Sequence, residues 1–257
     1  MLDVHPPHSP THTWRDFLLH IATIVCGLLI AIGLEQSVEA LHNRHARHQL
    51  LEDVHSEFES NHHKNQLTLQ SLAALRIYLV ALNRVLTLKQ SGKPATLDPS
   101  LDERRQLQLY GSSMAAWQSA KESGRAALLS SAQIRLYDRF DAQLDYRHDE
   151  ITAFGESVYA MQAFEERFRD TSVTMWWGAG SSTPDLAAMS QPQLAQYQAL
   201  VATTISNVDR VASRTQVIEA LNDALFHGAK TEDDLVKASY GPFRVSKASQ
   251  DSLPSTK

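Results

Sequence analysis

Between Leu34 and Ser91 the chain has neither glycine nor proline, and the stretch leading into this run, Phe17 to Leu34, holds 18 residues without a formal charge. Sandwiches and barrels need turn residues about every eight to twelve positions, so an interruption-free run of this length is predicted to be helix. Its beginning suits a bilayer: fourteen of the 18 residues are hydrophobic, the exceptions being His20, Thr23, Gly27 and Gly33. A helix of that length is about 27 Å long, close to the ~30 Å hydrocarbon core. Trp14 and Arg15 before it, and Glu35 and Gln36 after it, make fitting interfacial flanks. A cleaved signal peptide is the main rival, because Ala31-Ile32-Gly33 has the small-x-small form of a cleavage site. The apolar run exceeds the usual signal length and helical sequence continues through Leu34, so an uncleaved anchor is expected.

Composition narrows the rest. With 43% hydrophobic residues and a net charge of −5, wholesale disorder is excluded. The balance of 24 basic against 29 acidic residues gives no electrostatic reason to expect nucleic acid as a partner. A single cysteine, Cys26, excludes a disulfide framework.

Beyond the span, Leu34, Val38, Leu41, Leu51, Val54, Phe58, Leu69, Leu72, Leu75, Leu79, Leu82 and Leu86 recur mostly at three- and four-residue steps, which predicts a helical seam. Unbroken from Glu35 to Gln90, this helix would be about 84 Å long. Gly92 and Pro94 end it. Asp98-Pro99 opens a second helical stretch, divided by Gly111 and Gly124. A third helix is expected from about Ser131 to Thr171, and a fourth from the Ser190-x-x-Gln193 capping box to His227-Gly228. The predicted fold is all-α: an N-terminal transmembrane helix continuing into a long helix that packs in an antiparallel bundle. Its divisions are a tail at 1–16, the span at 17–34, the bundle at 35–237 and a Ser- and Lys-rich flexible tail at 238–257.

Several residue patterns carry candidate chemistry. His48, His55 and His62 stand seven apart on one helical stripe that could hold a transition metal or charge together near pH 6 and loosen a seam, although a solvated polar face is the better reading. Glu39, Glu52, Glu59 and Asp145 each precede a histidine by three residues, the spacing of bundle di-metal ligands, although three of these pairs sit on one helix. Asp138, Asp141, Asp145 and Asp149, interspersed with Arg135, Arg139 and Arg147, read as a solvated, ion-paired face. Trp176-Trp177 suits a bundle end or an interface. Thr23, Gly27 and Ala31 form a small-residue stripe that would let two membrane helices approach, and ordinary membrane composition gives the same pattern. No nucleophile elbow, phosphate loop, dinucleotide fingerprint or zinc-protease motif is present, so no catalytic residue and no cofactor is predicted.

Two stretches together resemble a known group. They are Thr13-Trp-Arg-Asp-Phe-Leu-Leu-His20 with Leu34-Glu-Gln-Ser-Val-Glu39, and Ala116-Trp117-Gln-Ser-Ala120-Lys-Glu-Ser-Gly124. The combination resembles a family of uncharacterised bacterial proteins with one N-terminal membrane helix, a long following helix and a W-x-x-A-x-x-x-G element. The resemblance covers roughly residues 13 to 150 and implies a bacterial inner-membrane location without implying an activity. Here Arg125 follows Gly124, where the family pattern has a small residue. Trp117, Ala120 and Gly124 read as a structural wedge, with a ligand pocket under Trp117 as the alternative.

The expected role is a membrane-anchored interaction, scaffold or sensor-like protein without catalytic activity. Its partners would be the bilayer, an unidentified protein and a second copy of the chain. The competing expectation is a metal-binding protein or metal-dependent enzyme using the His and carboxylate faces. Arg44 and Arg47 after the span, against Arg15 before it, weakly favour a cytoplasmic C-terminal side, whereas a short N-terminal tail before an anchor favours an extracytoplasmic domain, which is the expectation.

Overall fold

The structure, a computed structural model, describes residues 14–101, 107–168 and 184–240. No strand occurs among them. The chain divides into two compact units, Met1–Leu51 and Glu52–Lys257. Helix α1, Trp14–Gln90, is continuous through both, as the Gly- and Pro-free run predicts.

In the first unit the described residues are helical and almost all exposed. They include an 18-residue window of mean hydropathy 2.5, none of it buried. One helix near the N-terminus is therefore long and apolar enough to cross a membrane. The hydroxyls in and just after this segment bond back to their own helix, Thr23 Oγ1 to the Leu19 carbonyl at 2.8 Å and Ser37 Oγ to that of Gly33 at 2.7 Å. The seam expected at Leu34, Val38 and Leu41 is not an inner face of the monomer: these side chains are 63%, 55% and 56% exposed.

In the second unit the seam is buried. Phe58, Asn61, Asn65, Thr68, Leu72, Leu75, Leu79, Leu82 and Leu86 of α1 alternate three- and four-residue steps and are all buried. Against the aliphatic part pack Phe154, Met161 and Phe164 of α3 (Ser131–Glu165) and Tyr197, Val201, Val208 and Val211 of α4 (Gln191–Phe226). Pairings such as Asn65 with Glu219 and Thr87 with Gln198 run α4 antiparallel to α1. Phe58 with Phe140 and Asn65 with Arg147 show that α1 and α3 are parallel.

Two parallel helices require a connection that returns the chain to its start, and this is where the expected second helix differs. Residues 107–114 are not helical; they run back along α1, and helix α2, Ala115–Glu122, follows. Helix α2 buries Trp117 and Ala120 and is followed by Gly124 at φ +76°, a left-handed conformation that strains any residue with a Cβ. Open space surrounds that position, so Gly124→Ala should cost only the backbone strain, about 1–2 kcal/mol in denaturant unfolding.

The helix ends follow the sequence closely. Helix α1 stops where Lys93 N–H donates to the Leu88 carbonyl at 2.9 Å, with Gly92 left-handed between. At the start of α4, Ser190 N–H donates to Gln193 Oε1 at 2.8 Å. The same box opens α3, where the Gln133 N–H donates to Ser130 Oγ at 3.3 Å and the Ser130 N–H to Gln133 Oε1 at 3.2 Å. Helix α3 ends at Glu165 and a single 3-10 turn carries the chain to Phe168, earlier than Thr171. A final helix, α5, occupies 232–240, including the first three residues assigned to the tail. The rest of that tail, Trp176-Trp177 and the N-terminal residues before Trp14 lie outside the described residues.

Candidate interaction site

The second unit is organised by a polar stripe on α1 that handles an extended neighbour. The backbone of 107–113 forms no helix, so its N–H groups need other partners. Ser71 Oγ accepts from Gln108 N–H at 2.8 Å, and Thr68 Oγ1 accepts from Tyr110 N–H at 3.0 Å. Asn61 closes a two-way pair with Ser113, accepting from its N–H at 3.0 Å and donating to its carbonyl at 2.8 Å. Glu57 finishes the series: both its carboxylate oxygens accept from Ala116 N–H at 3.1 Å, placing a negative charge at the start of α2.

Burial pushes the Glu57 carboxyl up from its ordinary value, while the Ala116 and Ala115 N–H groups pull it down less strongly. A carboxyl that holds its proton more tightly when folded favours the folded state at acid pH, and that contribution falls away as pH rises past the ordinary carboxyl range. Glu57→Gln should remove this slope. In denaturant titrations from about pH 4 to about pH 6, the variant's midpoint should improve relative to wild type as pH rises.

Deeper in the bundle, Asn65 joins three elements. Its Oδ1 accepts from Arg147 Nη1 at 2.9 Å and from Ser112 Oγ at 2.7 Å, and its Nδ2 donates to Glu219 Oε2 at 2.9 Å. The guanidinium belongs to a residue only 3% exposed, and burial lowers its pKa. This corrects the reading of Arg147 as part of a solvated face; Arg135 and Arg139, by contrast, are exposed and pair with Glu232 of α5. One turn along α4, Asn222 Nδ2 donates to the Phe58 carbonyl at 2.8 Å.

On the other side, α3, α4 and α5 enclose an open groove of about 730 Å³. Ala202, Ser206 and Ser213 give its floor little bulk, and Val217 and Leu221 give it an apolar end. Arg139, Arg210 and Arg214 line it with Glu150, Asp209 and Tyr240. Arg214 is held by Gln143 Oε1 at 3.0 Å and Glu150 Oε1 at 3.3 Å, with its guanidinium over the Tyr146 ring. This is a mixed-charge, partly apolar surface of the kind that recognises a partner or a small ligand. No local sequence signal marks it, because its residues come from three helices.

The histidine stripe is divided rather than gathered. His55 stacks on Phe226 with ring centroids 4.3 Å apart, His62 pairs through Nδ1 with Glu219 and through Nε2 with Gln66 at 2.8 Å, and His48 is exposed in the first unit. Among the described residues no group of three or more His, Cys, Asp or Glu side chains could hold a metal ion. The aspartates of α3 have a structural use: Asp138 accepts from Trp117 Nε1 at 3.1 Å, and Asp141 from Lys121 Nζ at 2.9 Å, which docks α2. Trp117 is fully buried, with the Tyr137 ring edge-on at 5.4 Å. Arg125 lies beside the turn with Nε donating to Ser123 Oγ at 3.2 Å. Thr23, Gly27 and Ala31 are exposed, and a Cβ at Gly27 would meet nothing within 4 Å.

No family model, no curated protein and no solved structure matches the chain.

Proposed function

We propose that the chain is a single-pass protein of the bacterial inner membrane that works by interaction, as a scaffold or sensor-like module without catalytic activity, its helical domain outside the cytoplasm. The observation that carries this reading is the charge-free, wholly exposed helical window of mean hydropathy 2.5, which in water would leave a large apolar surface uncovered. The α3–α4–α5 groove supplies a surface for a protein partner. A second reading, ligand sensing, is favoured by the groove's volume of about 730 Å³, within the range of small-molecule sites.

Crosslinking in native membranes tests the interaction role. One dominant adduct is expected, and only monomer under all conditions would contradict the proposal. Filling the groove with Ser206→Trp or Ser213→Trp should remove a protein partner's adduct while leaving the thermal midpoint near wild type, since both positions are exposed. An adduct untouched by both variants rejects the groove as the contact surface.

A further inference from the structure

The segment from Leu34, the last residue of the apolar window, to Arg44 carries the helix out of that window, where its side chains meet water or a partner. Only Leu34, Val38, Ala40 and Leu41 in it are apolar; Glu35, Gln36, Ser37, Glu39, His42, Asn43 and Arg44 are polar. The three large apolar side chains fall at steps of four and three, so they form a single file along the helix. They are 63%, 55% and 56% exposed. This is a narrow stripe at coiled-coil spacing that the described residues leave uncovered.

We propose that the stripe is covered by a second copy of this chain, packed in parallel along Leu34, Val38 and Leu41. The inference rests on the membrane-anchor reading, because a shared bilayer holds copies in one orientation and at one depth. Each stripe position then meets its own counterpart. The residue types fit that arrangement: Leu34 and Leu41 take the d positions and β-branched Val38 the a position between them, the pattern that favours two parallel strands. The flanks fit as well. Ser37 faces His42 of the other copy, Arg44 faces Gln49 and Glu35 faces Ile30, so no two like charges are opposed. In the same register Ala31 falls at a and Gly27 at d, so the stripe continues into the apolar window with small residues at the seam. Thr23 falls at the flanking g position in this register and lies beside the seam.

Single cysteines placed in the full chain in a Cys26→Ser background, oxidised in native membranes, test this directly. Leu34→Cys, Val38→Cys and Leu41→Cys are expected to give disulfide-linked dimers several-fold more abundantly than Gln36→Cys, Ala40→Cys and Asn43→Cys, which face away from the seam. All six positions are exposed, so the substitutions leave the fold intact. Equal yields at all six, or none at the three seam positions, overturn the proposal. An adduct at the seam with a mass other than twice the chain's overturns the choice of occupant. Membrane fractionation of each variant separates the two readings: protein in the soluble fraction defeats the anchor, whereas protein in the membrane without periodic crosslinking defeats only the dimer.

Discussion

Trp117→Ala is expected to lower the unfolding free energy of the helical domain by about 4 kcal/mol. The indole is fully buried, so its removal forfeits both the transfer free energy of the ring and the contacts of the cavity walls. It also removes the donor to Asp138 and the edge-on contact with Tyr137. Asp138 is about half exposed and keeps water as a partner, so the lost hydrogen bond adds little; the void dominates. For a domain of this size the midpoint should fall by about 8–16 °C. Trp117→Phe keeps most of the volume and should recover more than half of the loss. A shift of under about 1 kcal/mol for the alanine variant would contradict the wedge role of this residue.

Asn65→Ala is expected to cost about 3 kcal/mol by a different route. The side chain itself is small, yet three groups depend on it, and one is a guanidinium with almost no access to water. Deleting the amide leaves that charge buried and short of an acceptor, and this penalty exceeds the worth of the bonds themselves. The compensated double variant Asn65→Leu with Arg147→Met replaces the polar layer by apolar side chains of similar size. It should regain most of the stability, and thermal unfolding of the wild type, Asn65→Leu, Arg147→Met and the double variant, four proteins side by side, measures the coupling. A double variant as unstable as the sum of its parts would mean that the layer is not a single unit.

The polar layer also marks the limit of what the sequence discloses. Phe58, Asn65, Leu72, Leu79 and Leu86 are seven apart on α1, and Phe140, Arg147, Phe154 and Met161 are seven apart on α3, all of them buried. Asn65 and Arg147 thus occupy apolar slots of two heptad rows, and they meet because the rows lie side by side. Residue type pointed Arg147 to solvent, whereas its position between Phe140 and Phe154 pointed inward; position prevailed. The helix ends at Gly92, Ser190 and Gly228 were legible because capping is local chemistry. The extended path of 107–113 was not, since its backbone partners on α1 are 37 to 52 residues away in sequence. Nothing within 107–113 records that Asn61, Thr68 and Ser71 stand ready to replace its own helical hydrogen bonds. The groove was hidden for the same reason, being a product of three helices packing.

For Leu34, Val38 and Leu41 the sequence pattern and the monomer disagree. Periodicity joined them to the bundle seam, while the fold leaves them uncovered. A hydrophobic stripe predicts that a face is covered and does not say by which chain.

The apolar window is read as an uncleaved anchor, and alkaline carbonate extraction of membranes, followed by intact-mass measurement of the pelleted chain, tests this most directly. The predicted result is full-length protein resisting extraction in the pellet. Protein released into the supernatant, or a chain shortened to begin after the Ala31-Ile32-Gly33 sequence, would contradict it.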